Sequence, residues 1–260
     1  MTDEVLASKS DPWVAESKRP HSKKAPSKKR SVLLFIRDLL IIFVVALLIS
    51  FMIKTFLIRS FYIPSGSMEN TLQIDDRIIV NQLEPGLIPI KRGDVLVFKD
   101  PGGWLLPQPE IVQNPIVASA DWLLSVIGLS APDSNDHLIK RAIGLPGDHV
   151  VCCNALGQMS VNDIPIDESE YVLLPAGQTA VSKDDFDVTI PADSLWMMGD
   201  NRYNSKDSRY NGDTAGKGYV PIENVVGRAL VVSWPLAHWA WLDDYPDVFR
   251  DVELTDKGSK

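Results

Sequence analysis

The sequence predicts a mainly β protein, an antiparallel sheet or barrel-like domain preceded by one transmembrane helix. Three observations lead there. Residues 39–53 form an uncharged apolar run of 15 residues near the N-terminus. Beyond it, short stretches rich in β-branched residues recur between Gly and Pro punctuation, at 77–81, 94–98, 149–153, 186–190, 195–198 and 225–233; such spacing reads as antiparallel strands. Finally, the charge is split. Residues 1–60 carry 11 Lys/Arg against 5 Asp/Glu, whereas residues 61–260 carry 15 against 29. A basic head and an acidic body joined by an apolar run indicate a chain shared between two compartments.

Residues 1–36 read as a cytoplasmic basic arm. Lys18, Arg19, Lys23, Lys24, Lys28, Lys29 and Arg30 stand among Ser and Pro, a composition too polar to bury a core and expected to be disordered. The apolar run, extended over 37–58, reaches the roughly 20 residues a bilayer-spanning helix requires. Lys54 is placed to snorkel its ammonium to the interface. A cleaved secretory signal is the main alternative, but the preceding arm is long for one and no small-x-small site follows. The basic flank also argues against a buried core helix. The Lys/Arg excess before the span, Arg37 included, places the N-terminus in the cytoplasm and the rest of a single-pass cell-membrane protein outside.

Residues 59–250 then form the β-rich domain. Lys91-Arg92-Gly93-Asp94 reads as a turn into the strand at 94–98. Two stretches, about 101–136 and 154–194, read as insertions. The first holds Trp122-Leu123-Leu124-Ser125-Val126-Ile127, too short to span a membrane, a small helix or lipid-touching flap. The second holds Asn162-Asp163 between apolar residues, a hairpin turn. Trp234, Trp239 and Trp241 are assigned to core packing in preference to an interfacial belt. Residues 251–260 read as a flexible tail. Cys152 and Cys153 are adjacent, so they suit no spaced zinc site, and a free or buried state is expected in preference to a strained vicinal disulfide. An acidic body repels phosphates, which sets nucleic acid aside. The sequence calls for no metal and no cofactor.

The chemistry centres on Ile63-Pro64-Ser65-Gly66-Ser67-Met68, where Pro and Gly bracket a tight exposed turn. Two hydroxyls in a turn are ordinarily local backbone partners, and a serine is a poor nucleophile without a base. Of the four histidines, His21 lies in the arm, and neither His137, His149 nor His238 has an Asp partner evident from its context. A buried lysine serves equally once desolvation makes its amine neutral. Lys140 lies between Leu138-Ile139 and Ala142-Ile143, and strand alternation there is compatible with an inward side chain. By itself it reads more readily as a surface lysine at a strand end.

Three blocks taken in order change the balance: Pro64-Ser65-Gly66-Ser67-Met68; Lys140-Arg141-Ala142-Ile143-Gly144-Leu145-Pro146-Gly147-Asp148; and Gly199-Asp200-Asn201-Arg202-Tyr203-Asn204-Ser205-Lys206-Asp207-Ser208-Arg209. Together they closely resemble the bacterial type I signal peptidases, membrane-bound serine–lysine leader peptidases. The resemblance runs from the apolar helix to about Leu242, with 101–136 and 154–194 poorly matched. It implies a catalytic domain of signal-peptidase type, Ser67 as nucleophile and Lys140 as general base. It further implies Ser65 as an oxyanion-hole hydroxyl beside the Ser67 N–H, Ser205 orienting the lysine amine, and Asp207–Arg209 as a supporting ion pair. Arg141, Asp200, Asn201 and Arg202 are expected to support the site. Glu69-Asn70 and Asp75 depart from the family's usual Pro and Gly, which bears on turn geometry and not on the reaction.

The implied substrates are signal peptides of exported preproteins, cut after small-x-small sites, with Phe61, Ile63, Met68 and Ile139 lining shallow pockets for Ala-sized side chains. Membrane lipid and nearby secretion machinery are the other implied partners. The competing reading is a catalytically silent membrane-anchored adaptor that binds leader segments. A self-cleaving repressor of similar Ser–Lys chemistry would be soluble with a DNA-binding head, which the apolar helix and the Gly-Asp-Asn-Arg block oppose.

Overall fold

The computed structural model describes residues 28–105 and 136–258, with side chains left undescribed at 28–31 and 54–56. The expected flap around Trp122–Ile127, most of the basic arm and the Lys54 side chain lie outside the described residues. The chain divides into two compact units, up to Leu47 and from Leu48 onward.

The first unit is most of helix α1 (Lys28–Phe56). Its window Val32–Ile53 is long and apolar enough to cross a membrane, and none of it is buried. A core helix would bury at least one face, so the buried-helix alternative loses its support. The helix begins nine residues before the expected start at 37, so the end of the arm is helical. It stops at Phe56, where Ile58 opens a strand instead of closing the span.

The second unit is built on two antiparallel sheets. The strands are β1 (Ile58–Tyr62), β2 (Arg77–Asn81), β3 (Val95–Lys99), β4 (His137–Gly144), β5 (His149–Cys152), β6 (Ser160–Val161), β7 (Ile164–Pro165), β8 (Phe186–Thr189), β9 (Ser194–Met198), β10 (Val220–Pro221), β11 (Val225–Trp234) and β12 (Ala240–Trp241), with helix α2 at Arg250–Gly258. The larger sheet runs β1-β2-β11-β3-β4-β9-β10, with β12 on β11; the smaller runs β7-β6-β5-β8.

Burial follows the strand period. In β3, Val95 and Val97 join Phe61, Ile63, Met68, Ile78 and Ile139 on one side, whereas Leu96 and Phe98 join Trp104, Leu195 and Met197 on the other. Both faces of β3 are covered, which is why it reads as a continuous apolar run instead of an alternating one. Each of these side chains contributes roughly 1.5–3 kcal/mol on burial.

Four expectations change. The stretch 154–194 supplies β6, β7 and β8, so it builds the second sheet and its core, with Met159, Val161, Ile166 and Ile190 buried. The Asn162-Asp163 turn does join β6 to β7, both residues at positive φ. The tail is no tail: Phe249 and Val252 are fully buried in that core, and Asp256 pairs with Arg92. Amphipathic spacing in a nine-residue helix was hidden by its charged composition. Trp234, Trp239 and Trp241 are 55%, 54% and 68% exposed, so core packing is wrong for all three. Cys152 and Cys153 form a vicinal disulfide, against the expected free state.

Candidate active site

Ser67 sits in a single 3-10 turn, Gly66–Met68, that follows β1 after an extended Ser65. The turn is anchored from inside by Met68 and Leu72, both fully buried. Backbone bonds from Ile63 N to Asp76 O and from Asp75 N to Ile63 O close the loop. The departures from the family pattern are accommodated here. Asn70 and Asp75 adopt φ of 88° and 73°, the left-handed region that Asn and Asp tolerate better than most residues.

Lys140 projects from β4, 4% exposed. Its Nζ lies 2.6 Å from Ser67 Oγ and donates to the Ile139 carbonyl at 2.9 Å. Ser65 Oγ is 3.4 Å from Ser67 Oγ. Burial pushes the Lys140 amine down to about 8; Asp207 and Asp200 oppose that shift, and Arg209 adds to it. A lysine in this setting holds a substantial neutral fraction near neutral pH, the state in which an amine accepts a proton.

The loop after β9 holds the other side of the turn. Asn201 donates its N–H to Ser67 O at 3.2 Å, and its amide to Gly66 O and Glu69 Oε2. Gly199 must be glycine because a Cβ there would run into Ser205 Oγ and the Ser67 carbonyl. Asp207 Oδ2 accepts from Gly199 N at 3.0 Å, while Arg209 grips the same carboxylate through Nε and Nη2. Ser205 Oγ is buried and has no hydrogen-bond partner among the described residues; the bond to the Lys140 amine that the resemblance implies is not formed here.

These geometries go with a match to a known family. Residues 36–234 match the family described as Signal peptidase, peptidase S26. The chain belongs to the signal peptidase family. Among its relatives, a "Probable signal peptidase I" of Mycobacterium leprae is 36% identical, covering 82% of this chain and 80% of that one. The signal peptidase I of Mycobacterium tuberculosis is 33% identical over 86% and 80%. A solved signal peptidase I from Enterococcus faecalis aligns with a TM-score of 0.33 and 21% identity, over 54% of this chain and 95% of that one. As a family member the chain is a peptidase, a hydrolase whose family cleaves signal peptides.

The remaining site residues of this signal peptidase family member fall into buried ion pairs. Arg141 and Asp200 are both fully buried. Asp200 accepts from Arg141 Nε and Nη2 at 2.9 and 2.7 Å and from Thr71 Oγ1 at 2.5 Å. Arg141 also donates to the carbonyls of Gly93 and Asp243 and lies over the rings of Tyr171 and Tyr245. Arg202 meets Glu168 in a two-pronged pair, and Tyr171 OH donates to the same carboxylate. The pairs tie the neighbour of Lys140 to the loop that holds Ser67.

Sequence reasoning named Arg141, Asp200 and Arg202 without their partners, and missed Thr71, Glu168, Tyr171 and Tyr245. Glu168 and Tyr171 lie in the stretch set aside as an insertion, and no local pattern flags a partner 34 residues away. Removing one member of a buried pair leaves an uncompensated charge, which costs about 3–5 kcal/mol. Arg141→Met is therefore expected to lower unfolding free energy by that amount. Urea denaturation checks it, and a loss under 1 kcal/mol would count against the assigned pairing.

A cavity of about 250 Å³ opens beside Ser65 and Lys140, lined by Phe61, Tyr62, Ile63, Pro64, Ser65, Val97, Leu105 and residues 137–140. Phe61, Ile63 and Ile139 are among the lining side chains. Met68 does not line it; its side chain faces the core beneath the turn.

Proposed function

We propose that the protein is a membrane-anchored serine endopeptidase that cleaves signal peptides of exported preproteins after small-x-small sites, with Ser67 as nucleophile and Lys140 as general base. The observation that carries this reading is the 2.6 Å contact between a buried lysine amine and Ser67 Oγ. As a free amine, Lys140 accepts the Ser67 proton while Oγ attacks the scissile carbonyl. The developing oxyanion is met by the Ser65 hydroxyl and the Ser67 N–H, donors of a type worth about 3–4 kcal/mol in other hydrolases. The ammonium then protonates the leaving amine. A water deprotonated by the same lysine releases the acyl group. Ser205 Oγ, buried and without a partner among the described residues, is the hydroxyl we assign to orienting the amine once substrate is bound, since it makes no bond to Lys140 in this structure.

Substrate entry follows from strand pairing. β9 pairs with β4 only from Arg141 onward, so beyond Lys140 toward His137 one edge of β4 carries no strand among the described residues. Among the described residues β1 pairs with β2 alone. An extended peptide laid between these two edges would add as a strand, with small side chains entering the apolar cavity. Incubating the purified full chain with a preprotein bearing an Ala-x-Ala site, and sequencing the new N-terminus, tests this. One cut after the second Ala is expected; intact preprotein recovered as a stable complex would favour the adaptor reading.

Lipid is the second partner proposed. The Lys/Arg bias places the N-terminus in the cytoplasm and the domain on the opposite face. Exposed Trp234, Leu236, Trp239 and Trp241 form an amphipathic patch suited to headgroups. A fragment beginning at Leu57 is expected to float with zwitterionic phosphatidylcholine liposomes, and its triple Trp→Ser variant to stay in the soluble fraction. Equal flotation of the two would remove the patch from the account.

A further inference from the structure

Two polar side chains of the cavity lie outside the Ser67–Lys140 pair, Ser65 and the ion pairs: Tyr62, whose hydroxyl donates to Asp75, and His137. His137 opens β4, its side chain 7% exposed. Its ring packs on Phe61 with centroids 5.3 Å apart. Nδ1 lies 2.5 Å from Asp136 Oδ1, and Nε2 has no partner among the described residues. A buried ring nitrogen without a partner costs free energy until something bonds it.

The two walls of the cavity run the same way. The chain runs from Phe61 at the end of β1 on to Ser65, and β4 runs from His137 to Lys140. Ser65 and Lys140 stand at the catalytic end, where both approach Ser67. Phe61 and His137 close the other end. His137 and Ile139 are two residues apart on one strand face, about 6.6 Å along the strand. An extended substrate has the same repeat. The side chain at the cut therefore meets Ile139 and Ile63, and the side chain two residues upstream meets His137 and Phe61.

Resting on the proposed peptidase reading, we propose that His137 is a specificity-determining residue: its Nε2 accepts a hydrogen bond from a hydroxyl side chain, Ser or Thr, two residues upstream of the cut. The tautomer follows from the neighbours. The Asp136 carboxylate draws the ring proton to Nδ1, which leaves Nε2 as the acceptor. Burial pushes the imidazole below its ordinary range, against the pull of Asp136, so the ring is neutral where Lys140 is a free amine. A wholly apolar wall accepts Ala and Ser with little distinction; a wall with an unmatched buried acceptor favours the residue that satisfies it.

The test uses the full chain in detergent and preproteins identical except for Ser or Ala two residues before the cut. The wild type is expected to cut the Ser substrate with a kcat/KM about fivefold above Ala, the scale of one net hydrogen bond. His137→Leu should bring the ratio to one or below, and His137→Gln, which keeps an acceptor near the Nε2 position, should retain part of the preference. A wild-type ratio of one, or a ratio in His137→Leu unchanged from wild type, overturns the role of His137. If His137→Leu cuts neither substrate, the wild-type ratio alone decides. Failure of the wild type to cut either preprotein would instead overturn the peptidase reading.

Discussion

Ser67→Ala and Lys140→Met are each expected to lower kcat/KM by about six orders of magnitude, the scale on which a serine peptidase loses its nucleophile or base. In the proposed mechanism the two groups, 2.6 Å apart, act on one proton. The double variant should therefore be no slower than either single one, because the second loss removes nothing the first left working. Met at 140 keeps the volume of the lysine stem inside a site where the wild-type residue is 4% exposed, so the fold survives. Turnover above a hundredth of wild type in well-folded Ser67→Ala would assign the nucleophile elsewhere.

The second large effect is on pH. Burial holds the Lys140 amine at about 8, far below the roughly 10.4 of an exposed lysine. The base works only unprotonated, so kcat/KM should rise with pH up to about 8 and then level. Below that point it should fall tenfold per pH unit, leaving about one enzyme molecule in ten competent at pH 7. Stability moves in the same direction. The folded state releases this proton before the unfolded chain does, so stability increases as pH rises between the two values. Lys140→Arg is expected to be inactive across the range, since a guanidinium remains charged. A profile flat down to pH 6, or an active Lys140→Arg, would exclude this base.

How much of this was legible in the sequence depends on the range of the interaction. The β2 segment at Arg77–Asn81 was read with its limits because its β-branched pattern is local. β1 was missed because Ile58 continues the apolar run of the helix, and composition alone does not separate a strand from a helix end. Ser67 and Lys140 were reachable through their motifs, but the surroundings of Lys140 come from β3, the Ser67 turn and the loop at 199–209, none of which adjoins it in sequence. Thr71, Glu168 and Tyr245 had no local signal, since each matters only through a partner brought near by the fold. The C-terminal helix failed for a related reason: Asp256 looks like a solvated charge until Arg92 is placed against it. The tryptophans erred the other way, since residues that are usually buried stand exposed at the end of β11 and beyond.

The most direct measurement is the titration of the Lys140 amine itself, by NMR on full-length protein carrying nitrogen-15 in its lysine side chains, with Lys140→Met identifying the resonance. A midpoint at about 8 is the predicted result. A midpoint near the roughly 10.4 of an exposed lysine would contradict the account, because at neutral pH only about one amine in a few thousand would then be free to take the proton of Ser67.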